Sequence, residues 1–179
     1  MKLAALALLA LAAPAHAEGD RALSASLGWA WFSTPGKAMK NMAPPDVSPD
    51  AGGALAVSYE HSIGTDIALR GEIAGGMFYG GNAKKQSATS YAALGDVGGV
   101  FRLDVLKYVP YAFAGVGGVV AGGGPIDKGA DFVLVIGGGV DWLASRSRSY
   151  GLEARIASFA GNVTVVTFGL RGTIRWGYF

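Results

Sequence analysis

The chain has 179 residues, no cysteine, 29 glycines and 51% hydrophobic residues; only 16% are charged, against roughly a quarter in an average soluble domain. That length suits one domain, the low charge excludes a disordered chain, and the missing cysteines remove disulfide scaffolds and thiolate metal centres. With 15 basic and 13 acidic residues, the formal +2 is too small a field to gather nucleic acid, which leaves a very apolar soluble domain or a membrane protein.

Lys2 precedes an apolar run from Leu3 to Ala15, followed by His16, Ala17 and the polar Glu18-Gly19-Asp20. One positive residue, an apolar core and small residues at Ala15 and Ala17 predict a signal peptide over 1–17, leaving 18–179 as the mature domain. The run is short for a membrane helix, which needs about 20 apolar residues, and no later run reaches that length. Only helices and closed barrels satisfy their backbone groups in lipid, so a membrane reading requires strands.

Period-two alternation between turn residues predicts eight strands, roughly 21–33, 53–62, 67–79, 91–105, 109–121, 131–144, 150–160 and 163–178. Each is long enough to cross as a tilted strand of about 9–11 residues. The connections alternate. Segment 34–52 is long and holds Pro35, Pro44, Pro45 and Pro49, whereas 63–66 is tight; 80–90 and 122–130 are long, and 106–108 and 145–149 short. Short turns at one end and longer loops at the other mark a transmembrane barrel; only the connection 161–162 is shorter than this pattern asks. The fold expected is therefore all-β, an eight-stranded antiparallel up-and-down barrel.

All four tryptophans share the apolar parity. With the amino terminus at the short-turn end, Trp29, Trp31, Tyr79 and Phe132 form one aromatic belt, and Tyr59, Tyr111, Trp142, Trp176 and Tyr178 the other. A soluble barrel would put these faces the other way round. The signal sequence, the eight alternating strands, the segment Val109-Pro110-Tyr111-Ala112-Phe113-Ala114-Gly115-Val116-Gly117 and the end Trp176-Gly177-Tyr178-Phe179 resemble the small eight-stranded outer-membrane barrels of the OmpA/OmpX-like superfamily of Gram-negative bacteria. The resemblance covers the whole mature chain. It implies an outer-membrane location, contact with outer-membrane lipids and lipopolysaccharide, and delivery to the barrel-assembly machinery through Phe179 as the assembly signal. Phe179 departs from the pattern in lying off the parity set by Trp176 and Tyr178. The periplasmic domain of some relatives is not expected after the eighth strand.

The inward parity collects Glu60, Arg70, Glu72, Asp96, Arg102, Asp104, Asp141, Glu153, Arg155, Arg171 and Arg175. An eight-stranded barrel is just wide enough for side chains to fill, and charges there are costly unless paired. Near-equal numbers of both signs predict an ion-pair network, and most of these residues fall in the half nearer the short turns, as a polar plug. The other half offers small inward residues: Gly28, Ala30, Ala56, Ala74, Gly76, Gly98, Ala114, Gly118, Gly137 and Gly139. Either they ease the curvature of a narrow barrel, or they leave a small cavity open to the outside.

His61-Ser62 lacks the spacing and the base–orienter geometry of a hydrolase and sits beside a short turn. Asp46 and Asp50 are too few for a calcium cage, which needs six to eight oxygens. No cofactor is expected, and no enzyme. Lys37, Lys40, Lys84, Lys85 and Lys128 read as solvated loop residues that phosphate-rich lipopolysaccharide could neighbour. The sequence thus points to a structural or surface-interaction role. The alternatives are a narrow porin-like channel or carrier for small solutes and, less favoured, a lipid A-modifying enzyme.

Overall fold

The computed structural model describes residues 20–35, 46–47, 51–79, 89–103, 107–123, 129–159 and 163–177. The strands are β1 (Arg21–Pro35), β2 (Asp46–Val47), β3 (Ala51–Ser62), β4 (Ile67–Tyr79), β5 (Thr89–Arg102), β6 (Tyr108–Gly123), β7 (Gly129–Ser145), β8 (Arg148–Phe159) and β9 (Val163–Trp176). All eight predicted strands are present, each within a few residues of its expected bounds. The addition is β2, a two-residue strand paired to the end of β1 through Thr34↔Val47 and Pro35↔Asp46.

Each long strand pairs antiparallel with the next, and β1 closes the sheet on β9 from Arg21↔Trp176 to Ser33↔Thr164. Following ladder partners round the sheet from Ala22 passes Glu60, Arg70, Gly98, Gly115, Val135, Ala157 and Val165 and returns at Phe32. The ring therefore closes with a stagger of ten residues, from 22 to 32, which requires strands tilted by about 35–45°. Among the described residues each of the eight long strands pairs on both sides.

One end of the cylinder carries the short connections. Ile63 and Gly64 both donate backbone N–H groups to the Ile67 carbonyl, and Arg146-Ser147 form the β7–β8 turn. This is the turn end; the other is the loop end. The predicted signal peptide, Asp104, Tyr178, Phe179 and the loop lysines Lys37, Lys40, Lys84, Lys85 and Lys128 lie outside the described residues.

Large apolar side chains face outwards, among them Leu27, Ile73, Ile136 and Leu170, with Ile73 at 76% exposure. The charged side chains in mid-strand, among them Glu60, Arg70, Glu72, Glu153 and Arg171, face inwards. This is the reverse of a soluble domain, and it follows from the alternation because a strand's side chains change face at every residue.

Two expectations fail on β6. Tyr111, expected in the outer belt, is 7% exposed and faces the interior, while Ala114 and Gly118, expected inside, face outwards. Neither parity of 109–121 carries a charge, so hydropathy alone could not choose the face. The neighbouring strand makes the choice. Gly137 and Gly139 on β7 leave the room that the rings of Phe113 and Tyr111 occupy; a Cβ at Gly139 would stand 2.7 Å from the Tyr111 hydroxyl.

Of the two readings of the small inward residues, curvature or an open cavity, the packing among the described residues favours curvature in the loop-end lumen. Phe32, Phe78, Leu94, Val119, Val133, Val135, Val163 and Val165 fill that space as a buried apolar cluster, with the Phe32 and Phe78 rings 5.0 Å apart. Curvature accounts for other inward glycines. Gly28 faces Gly169, and Gly98 faces Gly115, with backbones so close that a Cβ at any of the four would collide with a neighbouring carbonyl.

Candidate functional site

The charged residues meet because strands on opposite walls aim them at the same axis. Glu72 and Arg70 come from β4, Glu60 from β3, Glu153 and Arg155 from β8, and Arg171 from β9. Arg155 pairs with Glu72, which also pairs with Arg70. Arg70 then crosses the lumen to Glu153 at 3.4 Å, Arg171 reaches Glu153 at 3.3 Å and Glu60 at 2.6 Å, and Glu60 also holds Arg102. One chain of alternating charge thus links β8, β4, β9, β3 and β5.

Neutral groups complete it. The Tyr111 hydroxyl donates to Glu153 at 3.2 Å, and Arg171 donates to Ser24 at 2.8 Å, whose hydroxyl also bonds Thr173. The guanidinium of Arg70 stacks 3.7 Å from the Phe113 ring centre, and that of Arg171 lies 4.5 Å from Tyr111. Desolvated cation–π contacts of this kind add to the pairing. A second cluster lies nearer the turn end, where Arg175 donates to Asp141 and to Ser149, both at 2.9 Å, and Ser149 donates to Asp141 at 3.0 Å.

Asp96 stands apart. It is buried, and no arginine pairs with it among the described residues; its Oδ2 has no hydrogen-bond partner, and its register partner is Glu72, a like charge. Leu94, two residues further on the same face, already belongs to the apolar cluster. The boundary between charged and apolar interior therefore runs through this position. At the same level, on the β1–β3–β8–β9 side, a cavity of about 10 Å³ is lined by Ser26, Thr167, Glu153, Arg155, Ala54 and Ala56. It has room for one water-sized sphere.

The outer face carries its own pattern. Trp29, Trp31, Tyr79 and Phe132 are exposed on the loop-end side, together with Tyr91, which the sequence reading missed. At the turn end Trp142 and Trp176 are exposed, and Tyr59 lies with its ring 6.4 Å from that of Trp176. Tyr108 and Tyr150 replace Tyr111 in this belt, as ladder partners on either side of Trp142. His61 points to the outer face beside the turn 63–66, partnered in register by Arg21 and Leu69. Among the described residues no group of three His, Asp or Glu side chains is placed to hold a metal ion.

Comparison with solved structures shows where this architecture recurs. Ail, the attachment invasion locus protein of Yersinia pestis, aligns over 89% of this chain and 100% of its own, with 15% identity and a TM-score of 0.58. Neisserial surface protein A aligns over 87% of this chain and 97% of its own (14% identity, TM-score 0.61). The outer-membrane protein OprG of Pseudomonas aeruginosa aligns over 88% and 96% (10% identity, TM-score 0.61). At such identities the likeness is one of fold: a closed, eight-stranded antiparallel up-and-down barrel like those of outer-membrane proteins. No protein-family model and no curated protein matches the chain.

Proposed function

We propose that this protein is an integral outer-membrane barrel of a Gram-negative bacterium, with a structural or surface-interaction role and an interior closed to solutes. The observation that carries the reading is the inversion of faces: large aliphatic residues ring the outside while Glu60, Arg70, Glu72, Glu153 and Arg171 are buried at the axis. Export by a signal peptide over 1–17, delivery through Phe179 and contact with lipopolysaccharide at the loop end belong to this reading.

Two features support closure. The charged network spans the lumen from β4 to β8, and the apolar cluster fills the half above it. The reading is also non-catalytic. The interior carboxylates that could serve as acid or base are mostly engaged by arginines, and an activated nucleophile needs a base free to take its proton.

Planar-bilayer recordings of the refolded barrel test the reading, with Arg171→Ala beside the parent. Because the apolar half stays packed when the network is cut, neither protein is expected to give a stable open state. Steady single-channel current from the parent overturns closure. A mature chain that stays soluble without detergent overturns the membrane assignment.

A further inference from the structure

The outer rim at the turn end is electrically lopsided. Lys107, Arg146 and Arg148 are exposed there around the β6–β7–β8 sector, and none pairs with a carboxylate among the described residues. Across the rim, around β1, β3 and β4, Asp20 and Asp66 offset Arg21. The basic sector stands directly over the aromatic row Tyr108, Trp142 and Tyr150. Lys107 bends outward until its Nζ lies 5.0 Å from the Trp142 ring centre.

The backbone is tied down at Lys107 and at Ser147, between Arg146 and Arg148. The Leu143 N–H donates to the Lys107 carbonyl at 3.0 Å, and the Arg175 N–H donates to the Ser147 carbonyl at 2.8 Å. The cations are thus held on anchored backbone beside amphipathic rings, where the apolar band meets water. That combination suits a molecule with a negative head and an apolar body.

We propose that this sector binds an anionic phospholipid of the leaflet at the turn end, with Lys107, Arg146 and Arg148 holding its phosphodiester. Tyr108, Trp142 and Tyr150 lie along its glycerol and upper acyl region. The inference rests on the membrane assignment above and adds a headgroup preference on one side of the barrel. Charge complementarity selects the occupant: among the described residues this sector offers three cations and no carboxylate, which matches a head of net negative charge better than a zwitterionic one.

Native mass spectrometry tests it, using the mature barrel released from nanodiscs of equal phosphatidylglycerol and phosphatidylethanolamine. Phosphatidylglycerol should be retained preferentially, and the preference should fall by about fivefold for each of Lys107→Gln, Arg146→Gln and Arg148→Gln, reaching parity in the triple variant. An Asp20→Asn, Asp66→Asn protein should keep the preference. Equal retention of the two lipids by a parent barrel that keeps its heat-modifiable gel mobility overturns the inference alone, as does an undiminished preference in the triple variant. With lipopolysaccharide added to the nanodiscs, its retention in place of phosphatidylglycerol, lost in the triple variant, also overturns it. A parent that needs no detergent removes the membrane assignment, and this inference with it.

Discussion

The turn-end and loop-end halves of this barrel solve one problem in opposite ways. Both fill a cylinder that is just wide enough for side chains. The turn-end half does it with arginines and carboxylates joined across the lumen, as in Arg70 to Glu153. The loop-end half does it with Phe32, Phe78 and valines. An apolar filling tolerates adjustment, since any close-packed set of side chains of the right volume suffices. A charged one does not, because each ion needs a partner at a fixed place, and a register slip of one residue would turn every charge on that strand towards the apolar surroundings. The contrast predicts different sensitivities: the network should depend on strand register, while the apolar cluster should depend only on volume.

The comparison breaks most sharply at Glu153, which accepts from Arg70, Arg171 and Tyr111. Glu153→Leu leaves buried donors without their shared acceptor and should cost about 3–5 kcal/mol, as the loss of one partner from a buried ion pair does. Urea unfolding in detergent, read by gel mobility, measures it; a loss below about 1 kcal/mol would mean that the network is a solvated surface. Phe78→Ala is the matching cut in the apolar half. It should cost about 3 kcal/mol, the low end for a buried phenylalanine, because water can enter from the nearby loop-end rim. The same titration checks it. If the apolar cut proves the more damaging, stability resides mainly at the loop end.

Much of this was legible in the sequence. Strand boundaries, antiparallel order and the inward charges follow from alternation, because a charge on one parity fixes the face of its whole strand. Glu153 and Arg155 fix β8, and Arg171 and Arg175 fix β9. Where no charge marks a parity, the reading loses its anchor, and on β6 it chose the wrong face for Tyr111, Ala114 and Gly118. The error removed two network members, Tyr111 and the ring of Phe113 beneath Arg70, and gave the interior too little volume. The partners of each ion were not legible either. Ladder neighbours are set by register, but the contact from β4 to β8 crosses the lumen and depends on the stagger of the closed ring. Asp96 shows the limit best: its inward parity is legible, yet its place opposite Glu72, with no arginine paired to it among the described residues, depends on register.

The β6 correction carries the smallest of the expected effects and the most specific. If Gly137 and Gly139 are sockets for the Phe113 and Tyr111 rings, then filling one socket should disturb the network through a residue that carries no charge. At Gly139 a new Cβ meets the Leu152 carbonyl as well as the Tyr111 hydroxyl and ring, so the backbone and the tyrosine must both give way. Gly139→Ala should therefore cost about 1–3 kcal/mol by overpacking. Displacing Tyr111 also weakens its bond to Glu153 and its contact with the Arg171 guanidinium. A double-mutant cycle with Tyr111→Phe separates the two routes. If the alanine acts through the hydroxyl, the two substitutions should fall short of additivity by about 0.5 kcal/mol or more. If the penalties simply add, the socket shapes the backbone alone, and the glycines of β7 serve curvature like those of β1 and β9.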